Sequence, residues 1–168
     1  TCLDDDTANI TVIQSNGGTV VAEDGGTDTF TVVLTAEPAT DVVISVTSGS
    51  TGEATVSTGT LTFTNSTWST PQTVTVTGVN DDSLGNDSST ITMSVVDASS
   101  DDDFDAVADK TVTVTCTDDD TANITVAETG LGTAVAENGG TDTFTVVLTA
   151  QPATDVVISV TSGSTGEA

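Results

Sequence analysis

Apolar and polar residues alternate along several short stretches of the chain, with the period of two expected for strands that bury one face. Seven such stretches lie in the first 117 residues, and they predict strands at 8–13, 27–35, 41–47, 54–63, 72–79, 89–96 and 110–117. The residues expected to face a core are Ile10, Val12, Phe30, Val32, Leu34, Val42, Ile44, Val46, Val74, Val76, Ile91, Met93, Val95, Val112, Val114 and Cys116. Turn-forming Gly, Pro, Asn, Asp and Ser separate the stretches, so each strand is expected to reverse direction into the next.

The number and spacing of these strands predict an all-β fold. Seven short strands separated by turns are typical of a seven-stranded, immunoglobulin-like β-sandwich. Thr and Val are abundant in the chain, and both residue types favour strands over helices. A unit of about 110 residues is also large enough to bury a core of its own.

The chain repeats itself with a period of 114 residues, which predicts such domains in tandem. Residues 1–54 align with 115–168, and only 9 of the 54 aligned positions differ. We expect residues 1–7 to end a preceding repeat, 8–117 to form a complete sandwich, 118–121 to be a linker, and 122–168 to begin a second, near-identical domain. This second copy lacks its last three strands, so we expect further residues or a neighbouring chain to supply them, the latter by donor-strand pairing.

Acidic residues outnumber basic ones by 26 to 1, and the formal net charge is −25. Such a charge repels nucleic acids and anionic membrane surfaces, so neither is an expected partner. No stretch approaches the roughly 18 apolar residues that a membrane-spanning helix needs, so no direct membrane insertion is expected. One interpretation of the charge is a solvated acidic surface, as in halophilic proteins.

The acidic residues are clustered, which favours a second interpretation. If successive strands alternate in direction, one end of the sandwich gathers Glu23, Glu53, Asp81, Asp82, Asp118, Asp119 and Asp120. The other end gathers Asp101, Asp102, Asp103 and Asp105 near Asp4, Asp5 and Asp6. Calcium accepts about six to eight oxygen ligands and would relieve the repulsion, whereas a chain without His offers little to zinc. The sequence therefore predicts a structural calcium site at the first end, with Asp4–Asp6 as further candidate ligands and an empty acidic cluster as the alternative.

The segment between Leu61 and Asp82 carries a recognisable pattern. It contains L-T-F-T from Leu61 and W-S-T-P-Q-T-V-T-V-T-G-V-N-D-D from Trp68. Together with Glu23 before a Gly pair and the closing run 112–120, this segment resembles the bacterial Calx-beta-like tandem repeats of large extracellular surface and adhesin proteins.

The resemblance implies a β-sandwich that binds calcium at one end, with Glu23, Asp81, Asp82 and Asp118–Asp120 as ligands. Members of the family in sodium–calcium exchangers have further Glu residues after the Asp pair, where this chain has Ser83–Asp87. The resemblance therefore implies fewer ions, or weaker binding, than in those members.

Two cysteines occupy equivalent positions one repeat apart, Cys2 and Cys116. A domain length of at least about 25 Å exceeds the roughly 7 Å Cα separation of a disulfide, so the two cannot pair within one stack of domains. We expect Cys116 to be a buried thiol at the edge of the core, with an interchain disulfide through Cys2 and Cys116 as the alternative.

Four sequons for N-glycosylation favour an extracellular protein, and they begin at Asn9, Asn65, Asn86 and Asn123. The absence of His leaves no general base that titrates near neutral pH, so no enzyme activity is expected.

These observations predict a non-catalytic, calcium-stiffened tandem-repeat module of a surface stalk or filament. Its partners would be neighbouring repeats of the same chain and identical chains in a filament. Two alternatives stay open: an adhesive module that contacts a host, carbohydrate or mineral surface, and a spacer of a secreted enzyme.

Overall fold

The structure, a computed structural model, describes residues 6–130 and 132–163. It separates into two compact units. The described part of the first unit is residues 6–81 and 86–119, and that of the second is residues 82–85, 120–130 and 132–163. The boundary after Asp119 falls within the predicted linker 118–121. Cys2, Asp4 and Asp5 lie outside the described residues.

The first unit is a β-sandwich of immunoglobulin type, and the predicted fold class is confirmed. Its strands are β1 (Ile10–Gln14), β2 (Thr19–Ala22), β3 (Thr27–Leu34), β4 (Val42–Ser48), β5 (Ala54–Val56), β6 (Thr60–Phe63), β7 (Gln72–Gly78), β8 (Asp87–Val95) and β9 (Lys110–Thr117). One sheet has the order β1-β3-β7-β5, and the other has the order β2-β9-β8-β4-β6. All pairs are antiparallel except β2 with β9. Short 3₁₀ turns span Ser15–Gly17, Asp97–Ser99 and Asp102–Phe104.

The chain crosses between the sheets at two places that the sequence did not predict, from β1 to β2 and from β5 to β6. The predicted strand 54–63 is two strands, because β5 pairs with β7 in one sheet and β6 pairs with β4 in the other. Strand β2 was not predicted, and it leaves the sheet of β1 to pair with β9. The reason is parity: buried positions are even-numbered in β1 and β5 but odd-numbered in β2 and β6. A continuous strand would place those two sets on opposite faces.

The core lies between the two sheets, and it is formed by the apolar residues of the alternating pattern. All predicted core residues are buried except Val12 and Val95, and these two pack against the core. The alternation did not identify Phe104, a buried core residue in the middle of the acidic run 101–105. The 3₁₀ turn Asp102–Phe104 directs it inward, and the carboxylate of Asp101 caps that turn.

Asp101 fixes the loop that carries Phe104. Only 6% of this residue is exposed, and its carboxylate accepts hydrogen bonds from the backbone N–H of Thr40 (2.8 Å) and of Asp103 (3.1 Å). These hydrogen bonds lower the pKa of Asp101, so its contribution to stability is present above the ordinary pKa of 3.8 and is lost as the pH falls through the lowered pKa.

Replacement Asp101→Ala is expected to lower the free energy of unfolding by about 1–2 kcal/mol, because two backbone donors lose their acceptor. Asp101→Asn should cost less, since the amide oxygen can still accept. Asp103→Ala is the matched control, because Asp103 contributes only its backbone N–H to Asp101. Urea unfolding at pH 7 measures all three variants, and equal losses for Asp101→Ala and Asp103→Ala would contradict the capping role.

The second unit repeats the beginning of the first. Strands β10 (Ile124–Glu128) and β11 (Phe144–Leu148) form an antiparallel pair in the register of β1 and β3. Residues 156–160, which correspond to part of β4, are not in a strand. Apolar side chains of this unit are exposed: Ile124, Val126, Val135, Phe144, Val147, Val156, Val157, Ile158 and Val160. Among the described residues of both units, no helix is long and apolar enough to cross a membrane.

Candidate metal centre

Acidic side chains converge at one end of the first unit, which we call the acidic end. There β2, β7 and β9 end, and β3, β5 and β8 begin, as the pairing register requires. The loops and strand ends at this end carry Glu23, Glu53, Asp81, Asp87, Asp118 and Asp119.

Three of these carboxylates form a compact group, Glu53, Asp81 and Asp87. Each provides an oxygen within 4.8 Å of the oxygens of the other two. The backbone of Glu53 is fixed on both sides: its N–H donates to the Ser50 carbonyl (3.3 Å), and its own carbonyl accepts from the Val79 N–H (2.9 Å). Glu53 is therefore positioned by backbone hydrogen bonds beside the end of β7, and Asp87 is positioned as the first residue of β8.

Glu23 lies beside the end of β9 and is only 4% exposed. Its N–H donates to the carbonyl of Thr117 (3.2 Å), and its Oε1 accepts from the N–H of Asp119 (3.4 Å). Gly78 makes the close packing possible, because a Cβ on Gly78 would lie 2.2 Å from the carbonyl oxygen of Ala22 and 3.2 Å from the Cα of Glu23.

The acidic end accumulates negative charge. Burial is the largest cause that raises the pKa of Glu53, followed by the charges of Asp87 and Asp81. Burial likewise raises the pKa of Glu23, with added contributions from a side-chain hydrogen bond to Asp119 and the charges of Asp118 and Asp81, against a lowering by the Asp119 N–H.

Lys110 does not offset this charge. It is the single Lys or Arg of the chain, and it begins β9, whose last residue is Thr117. The length of the strand puts it about 23 Å from the acidic end.

The donor set of the acidic end fits calcium better than zinc. It consists of carboxylate oxygens, the hard ligands that calcium binds in flexible numbers and arrangements. Cys116, the cysteine among the described residues, is buried, and its thiol donates to the carbonyl of Glu53 (3.2 Å). Burial, together with the charges of the surrounding carboxylates, raises the pKa of this thiol. A thiol held in its protonated state is a poor ligand for zinc.

The predicted ligands are distributed over the two units. Those found at the acidic end are Glu23, Glu53, Asp81, Asp118 and Asp119. Asp82 and Asp120 belong to the second unit, where the carbonyl of Asp82 accepts from the N–H of Gln151 (2.6 Å). Asp6 is exposed and precedes β1, at the end of the sandwich opposite to the acidic end.

Two residues of the acidic end were not among the predicted ligands. Asp87 completes the group with Glu53 and Asp81, and the side-chain oxygen of Asn86 accepts from the N–H of Asp118 (3.0 Å). Strand β8 begins at Asp87, two residues earlier than predicted, and Asp87 shares the parity of the buried Ser89 and Ile91. An acid two positions before the first buried residue of a strand is the signal that identifies it.

The raised pKa values predict how stability depends on pH without calcium. The folded state binds protons more tightly than the unfolded chain at Glu23 and Glu53, so stability should fall as the pH rises above the ordinary Glu pKa of 4.5 and through the raised values. Urea unfolding with a chelator between pH 4 and 8 measures this slope. Glu53→Gln should flatten it, whereas Glu37→Gln, in an exposed turn at the opposite end, should leave it unchanged. If the slope were the same in both variants, Glu53 would not be a source of the pH dependence.

The other predicted sites are placed as follows. Cys116 is buried, as expected for a thiol of the core edge. The four sequon residues Asn9, Asn65, Asn86 and Asn123 are all exposed.

Known proteins resemble this chain in fold and not in sequence. No protein-family model matches it, and neither does any curated protein sequence. A solved structure of SSP-19, an MSP-domain protein like family member in Caenorhabditis elegans, is similar with 17% identity and a TM-score of 0.40, over 60% of this chain and 92% of that one. The E. coli chaperone DraB is similar with 5% identity and a TM-score of 0.46, over 69% of this chain and 59% of that one. At identities this low the similarity concerns the fold alone.

Proposed function

We propose that the chain is a structural, non-catalytic module of a tandem-repeat protein outside the cell, in a surface stalk or filament, and that calcium stiffens it. The observation that carries the proposal is the group of Glu53, Asp81 and Asp87, whose carboxylate oxygens lie within 4.8 Å of one another. Three negative charges at such separations repel one another, and a divalent cation would turn that repulsion into attraction.

The position of the acidic end supports a mechanical role. Strand β9 ends at Thr117 and β10 begins at Ile124, so six residues connect the two repeats, and Asp118 and Asp119 are the first of them. Calcium bound at the acidic end would fix the backbone at the start of this connector. Restricting these residues would limit bending between repeats, which is the property that a stalk or filament needs.

The proposed setting follows from the surface of the chain. A net charge of −25 opposes contact with nucleic acids and anionic lipids, and four exposed sequons suit a glycosylated extracellular protein. The proposed partners are neighbouring repeats of the same chain and identical chains in a filament.

Calcium titration of the 168-residue chain is the test. We expect saturable heat of binding, a higher melting temperature by several degrees, and a smaller spread of conformations in small-angle scattering. The double variant Glu53→Gln, Asp81→Asn should lose all three effects. The double variant Asp102→Asn, Asp103→Asn removes the same charge at the opposite end of the sandwich and should keep them. Absence of saturable binding, or equal losses in both variants, would reject calcium as the stiffening agent.

A further inference from the structure

The outward face of the five-stranded sheet in the first unit consists mostly of Thr and Ser, and we call it the hydroxyl face. Side chains alternate along a strand, so the residues between the buried positions of β4, β6, β8 and β9 point outward. The pairing register aligns them in rows across the strands, with Thr111, Thr92 and Thr47 in one row and Ser94, Ser45 and Thr60 in the next. The remaining outward positions of β8 and β9 are also Thr or Ser.

The hydroxyl face is uncharged in a chain that has 26 acids. Among the described residues, no charged side chain occupies an outward position in the strands of this sheet, because Asp87 and Lys110 share the parity of the buried residues of β8 and β9. Apart from Asp28 in β3, the other described acids of the first unit lie outside its strands. The negative charge is therefore concentrated at the two ends of the sandwich, and two copies can approach through this flank with the least repulsion.

The chemistry of the hydroxyl face complements itself. A Thr hydroxyl both donates and accepts hydrogen bonds, and its methyl group contributes apolar area, so a row of Thr can face an identical row. Two twisted sheets pack face to face with their strands about 30° apart and about 10 Å between the sheets. A partner with a charged surface would have to bury its charges against a face that offers no counter-charge. The partner that this face fits is therefore a second copy of itself.

The size of the hydroxyl face suits a weak contact between single modules. Five strands about 4.8 Å apart and about 20 Å long cover roughly 500 Å² on each copy, or roughly 1,000 Å² in a pair. A specific interface needs at least about this area, so one module should pair weakly. Modules in tandem would repeat the contact, and a second array with the same period of 114 residues would match it at every module.

We propose that identical chains associate side by side through the hydroxyl face, with the face of one copy against the same face of another. The repetition of this contact along an array rests on the proposed tandem-repeat function, whereas the pairing of single modules does not. Calcium at the acidic end would stiffen each chain, and the hydroxyl face would join the stiffened chains into bundles.

Sedimentation equilibrium of the 168-residue chain tests the pairing. In about 1 M NaCl with EGTA, salt screens the net charge without calcium. We expect a dimer there, with a Kd on the order of 100 µM. A dimer under these conditions together with failure to bind calcium would reject calcium stiffening and support the pairing. Calcium binding by a chain that stays monomeric would do the reverse.

Two Asp variants locate the contact. Thr92→Asp should weaken the dimer by at least about tenfold, because each copy would bury an uncompensated carboxylate at the centre of the interface. Thr75→Asp is the matched control, since Thr75 is an equally half-buried outward residue of β7 in the other sheet. It should change the Kd by less than about threefold, as should the conservative variant Thr92→Ser. Circular dichroism shows whether each variant folds, and Thr113→Asp, at an exposed position of the same face, replaces Thr92→Asp if that variant does not.

Three results would overturn the proposal: a chain that is monomeric at all concentrations and salt levels, a dimer that Thr92→Asp and Thr113→Asp leave unchanged, or equal losses in Thr92→Asp and Thr75→Asp. A monomeric chain that binds insoluble cellulose, and loses this binding in Thr92→Asp, would assign the hydroxyl face to a carbohydrate surface instead.

Discussion

Phe30→Ala is expected to lower the free energy of unfolding of the first unit by about 3–5 kcal/mol. Phe30 is buried at the centre of β3, among residues of both sheets, so removing its ring leaves a cavity that a sandwich cannot close without moving a strand. Phe144→Ala makes the same chemical change at the equivalent position of the second repeat. We expect it to cost less than about 1 kcal/mol, because much of the Phe144 ring is already in contact with water.

The single Trp of the chain makes this comparison measurable. Trp68 lies in the first unit, is partly buried and packs against its core, so its fluorescence reports unfolding of that unit. Urea titrations followed by Trp fluorescence and by circular dichroism should show a large shift of the midpoint for Phe30→Ala and none in fluorescence for Phe144→Ala. A comparable shift for both variants would mean that the second unit is packed as tightly as the first.

The strands could be predicted from the sequence because each buries one face. The alternation in residues 110–117 predicted β9 with both ends correct, and in 72–79 it predicted β7 to within one residue. The divided strands were missed because a run of β-forming residues such as 54–63 looks continuous unless the parity of its apolar positions is checked. Phe104 was missed for a different reason: its burial depends on a capped turn and not on a periodic pattern.

The acidic end could be predicted only as a set of loops. The alternating direction of the strands places Glu23, Glu53 and Asp81 at the same end, and this much could be predicted from the sequence. It could not show which acids approach closely, because those distances depend on where β8 begins and on the turn that holds Glu53. Asp87 belongs to the group for this reason, whereas Asp82, adjacent to Asp81 in sequence, belongs to the second unit.

Gly78→Ala is expected to be the second most damaging single change, with a loss of about 3 kcal/mol in the free energy of unfolding. Gly78 ends β7, and its N–H donates to the carbonyl of Gly26 (2.9 Å). A methyl group at this position would lie 2.2 Å from the Ala22 carbonyl oxygen and 2.9 Å from its carbonyl carbon, both of them backbone atoms that cannot rotate away. The segment from Ala22 to Glu23 must therefore move, or β7 must separate from β3.

The first movement displaces Glu23 and the second moves β7 away from it, so both change the position of Glu23 relative to Asp81, and Gly78→Ala should also weaken calcium binding by the acidic end. Gly52→Ala is the matched control, because a Cβ on Gly52 meets no atom within 4 Å and the residue is exposed in a loop of the same end. We expect Gly52→Ala to change stability by less than about 0.5 kcal/mol and to leave calcium affinity unchanged. Thermal unfolding and calcium titration of both variants separate the effect on stability from the effect on calcium affinity.

A Gly78→Ala protein as stable as Gly52→Ala would contradict the close packing of β7 against the Glu23 turn. A destabilised Gly78→Ala protein with unchanged calcium affinity would show that Glu23 is not a ligand, and would restrict the site to Glu53, Asp81 and Asp87.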